Sequence, residues 1–292
     1  MLGGFWAVSL TDTLQGFLMA VTSVLLPLAA LIAVGGPAGL VEGLQSIPSA
    51  NYLSLTRGLP SAAGVGFVLG LFGIGISYPG QPHVINRYMA LERGRTILRR
   101  ARVISIGWAV VVYAGMLLLG LCGRVLYPDL ADPEVVLIIA ANNLLPAVVA
   151  GVMITAVLSA IMSTADSQLL VAASSISHDL EVGRSSSWNL LSRSRVVVLC
   201  LSFGAVGAAL YGSQEIFSRV LFAWAAMGSA FVPLILLTVW RGPVSAGATL
   251  AAMTTGFLLS VTAYSLPDSD WKDVFEYIVP WALPLFSPSA SV

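Results

Sequence analysis

The chain has 292 residues, 57% of them hydrophobic and only 10% charged, with no net charge and a mean hydropathy of +0.90. A soluble domain carries about 25% charged residues, so this composition excludes a water-soluble globule, and the neutral balance gives nucleic acid nothing to grip. Two cysteines, Cys122 and Cys200, and two histidines, His83 and His178, are too few for a disulfide framework or a histidine-rich metal centre.

Apolar runs of about 20 residues, the length that crosses a bilayer core, set the element list. Met1 leads directly into Leu2-Gly3-Gly4-Phe5-Trp6 with no basic leader region, so no signal peptide is expected. The first span is expected over 8–35, with residues 2–7 as the tail of an earlier helix. Residues 36–61, with Pro37, Pro48 and Pro60, read as an outer loop carrying a short surface helix. The second span, 62–89, is interrupted. Further spans are expected at 103–126, 144–172, 195–212, 219–240 and 244–265, and a partial one at 276–290. Pro133–Leu145 reads as another outer helix, because proline suits a first helical turn.

Arginine-rich loops mark the cytoplasmic face of a membrane protein. Arg87, Arg93, Arg95, Arg99, Arg100 and Arg102 follow span two, Arg184, Arg193 and Arg195 follow span four, and Arg241 follows span six. The alternate loops hold Asp129, Asp132 and Glu134, then Glu215, then Asp268, Asp270 and Asp273, with Arg57, Arg124 and Arg219 as single exceptions. One alternating path through the membrane satisfies both sets.

Ionisable residues within spans are costly and mark function; Asp12 and Asp166 are the clear cases. In span four, Thr155, Ser159, Ser163 and Ser167 recur every fourth residue and share one face, flanked by Thr164 and Asp166. Hydroxyls, carbonyls and a carboxylate are hard oxygen donors that suit a small hard cation. Hydroxyls bonding back to carbonyls one turn earlier remain the alternative. In span two, Ser77-Tyr78-Pro79-Gly80-Gln81-Pro82-His83 cannot continue a regular helix. Broken segments of this kind point to a transporter's binding cavity, or else to a kink near the cytoplasmic end. Asp12, near the start of span one, reads either as a helix N-cap or as part of a cation path. His83 reads as stabilising the break rather than shuttling protons.

The string Tyr78-Pro79-Gly80-Gln81-Pro82-His83-Val84-Ile85-Asn86-Arg87-Tyr88-Met89-Ala90 resembles the signature of the sodium/proline branch of the sodium:solute symporter family. So do Ala160-Ile161-Met162-Ser163-Thr164 with Ser167-Gln168-Leu169-Leu170, Thr11-Asp12-Thr13-Leu14-Gln15, and Ala223-Trp224-Ala225 with Gly228, Ala230-Phe231 and Pro233. The resemblance implies an all-α membrane protein, part of an inverted-repeat transporter core of five plus five helices, with seven to eight transmembrane helices present here. It implies one transmembrane domain over 1–292: about 1–240 as core helices five to ten, and 241–292 as peripheral helices. Core helices one to four are then expected to precede this segment in the native chain.

By the same resemblance, sodium is the co-transported ion. The Ala160 carbonyl and the Ser163 and Thr164 hydroxyls supply half of its main site. Asp12, Ser167 and Asp166 form a second cation site or path. Tyr78, Pro82, Gln81 and Ile74 face the solute, with Ile74 standing where the proline transporters carry tryptophan and Pro79 also departing from their pattern. The implied activity is symport of proline or a related amino acid, with no enzymatic step, in a bacterial plasma membrane. The partners are a small organic solute, sodium and the lipid bilayer, with no nucleic acid. A solute-sensing module of symporter type and an inactive incomplete copy are the alternatives.

Overall fold

The structure, a computed structural model, describes residues 4–49, 51–56, 58–92, 94–180, 189–211, 216–267, 269 and 271–286. Arg57, Arg93, Arg184, Glu215, Asp268, Asp270 and the end of the last expected span lie outside the described residues. The described chain is all helical. Seven helices are long and apolar enough to cross a membrane: Trp6–Ala33, Ala62–Gly80, Arg95–Leu126, Ala147–Asp179, Leu190–Tyr211, Ile216–Arg241 and Ala246–Tyr264. The chain is a multi-pass membrane protein.

Helix α1 (Gly4–Ala33) is continuous, so residues 4–7 are its first turns and not the tail of an earlier helix; nothing in Phe5-Trp6-Ala7 breaks it. It stops where Gly35 and Gly36 take left-handed φ of 98° and 78°, a conformation that glycine adopts without strain. Pro37 then opens the expected surface helix, α2 (Gly36–Gln45). Helix α3 (Ser61–Ser77) ends in a 3₁₀ turn over Tyr78–Gly80, Gln81 is extended at φ −70° and ψ 124°, and α4 (Pro82–Met89) resumes. The break therefore lies where the prolines require it. Helix α5 (Arg95–Leu126) begins two turns before the expected 103, because Arg95 to Arg102 are good helix formers with no breaker after Gly94.

Beyond it, Pro133–Val135 forms a 3₁₀ turn and α6 (Val136–Leu144) follows, with the Asp132 side chain accepting a hydrogen bond from the Glu134 N–H at 2.9 Å. Helix α7 (Ala147–Ser174) starts after Pro146 and ends in a π-helical turn over Ser175–Asp179. The remaining helices are α8 (Leu190–Tyr211), α9 (Ile216–Arg241), α10 (Ala246–Tyr264), α11 (Lys272–Tyr277) and α12 (Val279–Phe286). The partial span expected from 276 is thus two short helices, α11 and α12.

The chain divides into two compact units, Met1–Ala50 with Leu91–Val198, and Asn51–Ala90 with Leu199–Val292. In the first, α1 packs against α5, α6 and α7. Leu26, Ala30, Leu119, Cys122, Ala140, Ala141, Ala150 and Met153 form its core. In the second, α9 packs against α3, α10 and α12, and α3 against α11. Lipid is as apolar as leucine, so close packing and small residues, rather than hydrophobic expulsion, hold such helices together.

One packing device occurs in each unit. Pro27 lies inside α1 and Pro233 inside α9. Each lacks an N–H, so the carbonyl four residues back, of Ser23 and Ser229 respectively, loses its helical donor. A glycine from a neighbouring helix sits on each freed carbonyl. A Cβ on Gly115 of α5 would overlap the Ser23 oxygen, and one on Gly256 of α10 would overlap the Ser229 oxygen. Glycine there admits the backbone approach that a Cα–H···O contact needs. Gly107, on the same helix as Gly115, has nothing within 4 Å of an added Cβ. Gly115→Val is therefore expected to lower stability by about 3 kcal/mol, while Gly107→Val leaves the thermal midpoint in detergent near the wild-type value. Equal midpoints for the two variants would exclude the close α1–α5 approach.

Candidate functional site

Two places gather the residues singled out by chemistry, one in each unit. In the first unit Asp12 lies two turns inside α1, so it is not an N-cap. Its side chain is buried, 8% exposed, and its Oδ2 accepts a hydrogen bond from the Ser167 hydroxyl of α7 at 3.4 Å. Ser167 is 5% exposed. A carboxylate buried at membrane depth needs a donor or a cation, and Ser167 supplies one donor across 155 residues of sequence.

One turn earlier on the same face of α7, the Thr164 hydroxyl donates to the Ala160 carbonyl at 3.1 Å. Thr155 likewise bonds back to Gly151 at 2.8 Å. Donating its one proton leaves the Thr164 oxygen two lone pairs, and the Ala160 carbonyl keeps a second. Both can still accept a cation. Ser163 is half-buried beside them. At about 100° per residue, Ala160, Ser163, Thr164 and Ser167 share one face, whereas Asp166 points about a quarter turn away. Asp166 is half-buried and makes no hydrogen bond or ion pair among the described residues. The structure joins Asp12 to Ser167 and leaves Asp166 apart from that pair.

In the second unit the break in span two lies against α9. Ser77 is fully buried and its hydroxyl donates to the Gly73 carbonyl at 3.0 Å. A Cβ on Gly228 would overlap the Ser77 side chain, and one on Gly80 would come within 2.8 Å of Val232 Cγ2. The stretch Ala225, Gly228, Ser229 and Val232 thus gives α9 a small-residue face on which irregular backbone can rest. That answers the requirement that non-helical chain at membrane depth be buried in protein or line a cavity.

Gln81 is 4% exposed, and its amide donates to the Trp224 carbonyl at 3.3 Å. The Tyr78 ring meets the Trp224 ring at 5.6 Å between centroids, tilted by 56°. Tyr78 itself is half-exposed, and Ile74, Pro82 and His83 are half-buried. Of the four solute candidates, Gln81 is therefore engaged in tying the break to α9. Tyr78 keeps an open ring edge and hydroxyl. The glycines before the break serve packing: a Cβ on Gly70 or Gly73 would run into Asp273 or Tyr277 of α11. Trp224 was missed as a site residue; its signal was an aromatic within a run of small residues on a span.

Comparison with known proteins adds an independent finding. The profile of the sodium:solute symporter family matches residues 1–256. The high-affinity proline transporter PutP of Bacillus subtilis is 34% identical over 296 residues, covering 98% of this chain and 61% of its own length. The sodium/proline symporter of Haemophilus influenzae is 34% identical over 299 residues, covering 96% of this chain and 58% of its own. The osmoregulated proline transporter OpuE of Bacillus subtilis is 36% identical over 265 residues, covering 88% and 52%. The chain thus spans between 52% and 61% of the length of these three relatives.

Proposed function

We propose, from the premise that the chain belongs to the sodium:solute symporter family, that it takes part in sodium-coupled symport of a small organic solute, proline or a related amino acid, by alternating access. It moves its solute unchanged and is no enzyme. The observation that carries this reading is the buried Asp12–Ser167 pair below the hydroxyl-lined face of α7. That face offers only hard oxygen donors, which fits an alkali cation. The printed names of relatives, a proline transporter and a sodium/proline symporter, support the ion and the solute class.

In this reading the Ala160 carbonyl and the Ser163 and Thr164 hydroxyls hold sodium as cargo. Asp12 and Ser167, with Asp166 on the neighbouring face, form a second cation position or its path. The solute docks at the break, where Tyr78, Pro82 and Ile74 meet it and Gln81 holds the backbone in place. Residues up to about 240 would be core helices five to ten, and 241–292 peripheral helices. The shared pattern Ser-x-x-x-Pro-Leu, at Ser23–Leu28 in α1 and Ser229–Leu234 in α9, supports their assignment as the fifth helix of each inverted repeat.

Sodium drives uptake only by binding the outward and inward states unequally. The membrane potential adds about 2.3 kcal/mol per charge per 100 mV, almost two decades in solute ratio. The test is uptake of labelled proline into proteoliposomes holding the full-length protein, with an inward sodium gradient against a potassium control. Sodium-dependent accumulation is the expected result. Equal uptake in sodium and potassium would overturn sodium coupling. Sodium-driven uptake of another small solute but not of proline would keep the symport and discard the solute.

A further inference from the structure

The first three turns of α5 carry a feature that ion and solute transport leave unused. Thr96, Arg99, Arg100, Val103 and Ile104 line an open groove of about 340 Å³. At about 100° per residue these positions form one stripe, which continues through Gly107 to Val110 and Val111. The stripe runs from hydroxyl and guanidinium groups at its start to exposed aliphatic side chains, Val103 at 63% and Ile104 at 71% exposure. Gly107 leaves a notch in it, with nothing within 4 Å of an added Cβ. The packed face of α5 lies elsewhere, at Gly115, Leu119, Cys122 and Gly123.

Arg99 and Arg100 make no hydrogen bond or ion pair among the described residues, and no acidic residue occurs between Arg95 and Arg124. Two uncompensated guanidinium groups call for an anion. Their forked donors match phosphate oxygens. The apolar continuation along a lipid-facing helix calls for an acyl chain on the same molecule. The arginine bias puts this end of α5 at the cytoplasmic leaflet, whose anionic lipids attract such clusters.

The geometry points to a binding site for one anionic glycerophospholipid on α5, its phosphate held by Arg99 and Arg100 beside the Thr96 hydroxyl and one acyl chain lying along Val103, Ile104 and the Gly107 notch. Arg95 and Arg102 lie on other faces of the helix and contribute only general attraction.

The test uses native mass spectrometry of the full-length protein titrated with phosphatidylglycerol, with phosphatidylcholine as the zwitterionic control. Arg99→Gln with Arg100→Gln is expected to weaken phosphatidylglycerol binding by on the order of tenfold, while Arg95→Gln with Arg102→Gln changes it less than about twofold. Gly107→Leu fills the notch, keeps every charge and meets open space, so it folds; it is expected to weaken phosphatidylglycerol binding as well. Equal losses in the two double-glutamine proteins, or unchanged binding in Gly107→Leu, overturns the proposal, as does phosphatidylcholine binding as tightly as phosphatidylglycerol.

Discussion

Asp12→Asn is expected to raise the sodium concentration for half-maximal uptake by at least about a hundredfold while leaving the protein folded. The amide oxygen can still accept the Ser167 hydroxyl now bonded to Oδ2 at 3.4 Å, so the α1–α7 contact survives. What is lost is the charge. Two unit charges 4 Å apart interact by about 4 kcal/mol at an effective dielectric of about 20, and each 1.4 kcal/mol is about a decade in affinity. Solvation of the ion and rearrangement of the hydroxyls take back part of that. Asp12→Glu keeps the charge and displaces it by one methylene, so a smaller rise is expected. A folded Asp12→Asn protein with wild-type sodium dependence would remove Asp12 from the cation path.

Gly228→Leu is expected to unfold or strongly destabilise the second unit, by about 3 kcal/mol or more. A side chain there collides with Ser77, which is fully buried and has no room to move. The collision would push the 3₁₀ turn over Tyr78–Gly80 off α9 and break the Gln81 bond to the Trp224 carbonyl. Solute uptake should fall with it, because Tyr78 loses its seat against Trp224. Gly228→Ala adds only the Cβ and should give an intermediate thermal midpoint. A wild-type midpoint for Gly228→Leu would mean that the break does not rest on α9.

Those two positions mark where sequence reading succeeds and where it stops. The spans are legible because each is an apolar run of bilayer length, and the break is legible because Pro79, Gly80 and Pro82 cannot stay helical. The start of α5 was misplaced because its arginines read as loop by charge although their propensity is helical. Span one was cut short at 8 because a long apolar run has no internal boundary to show. Periodicity puts Ser163 and Ser167 on one face of α7. It cannot show that Ser167 meets a residue 155 positions away; that pairing came from the resemblance alone. Gln81 was taken as facing the solute because it is polar and flanks the break. Its buried amide in fact reaches 143 residues along the chain to a backbone carbonyl, and no local pattern encodes such a contact. The glycine partners of the carbonyls freed by Pro27 and Pro233 escaped for the same reason: each device needs two helices, and sequence shows one at a time.

Radiolabelled sodium binding to the purified full-length protein tests the cation face most directly. The wild-type protein should bind sodium saturably. Ser163→Ala with Thr164→Ala removes two oxygen donors and no packing of consequence, so its sodium affinity should fall by about tenfold or more, at about 1 kcal/mol for each donor. The substitution of Val152, an exposed residue of the same helix, by alanine should leave affinity unchanged. Saturable sodium binding of equal affinity in the wild-type and doubly substituted proteins, both shown to be folded, would contradict the assignment of this face of α7 to sodium.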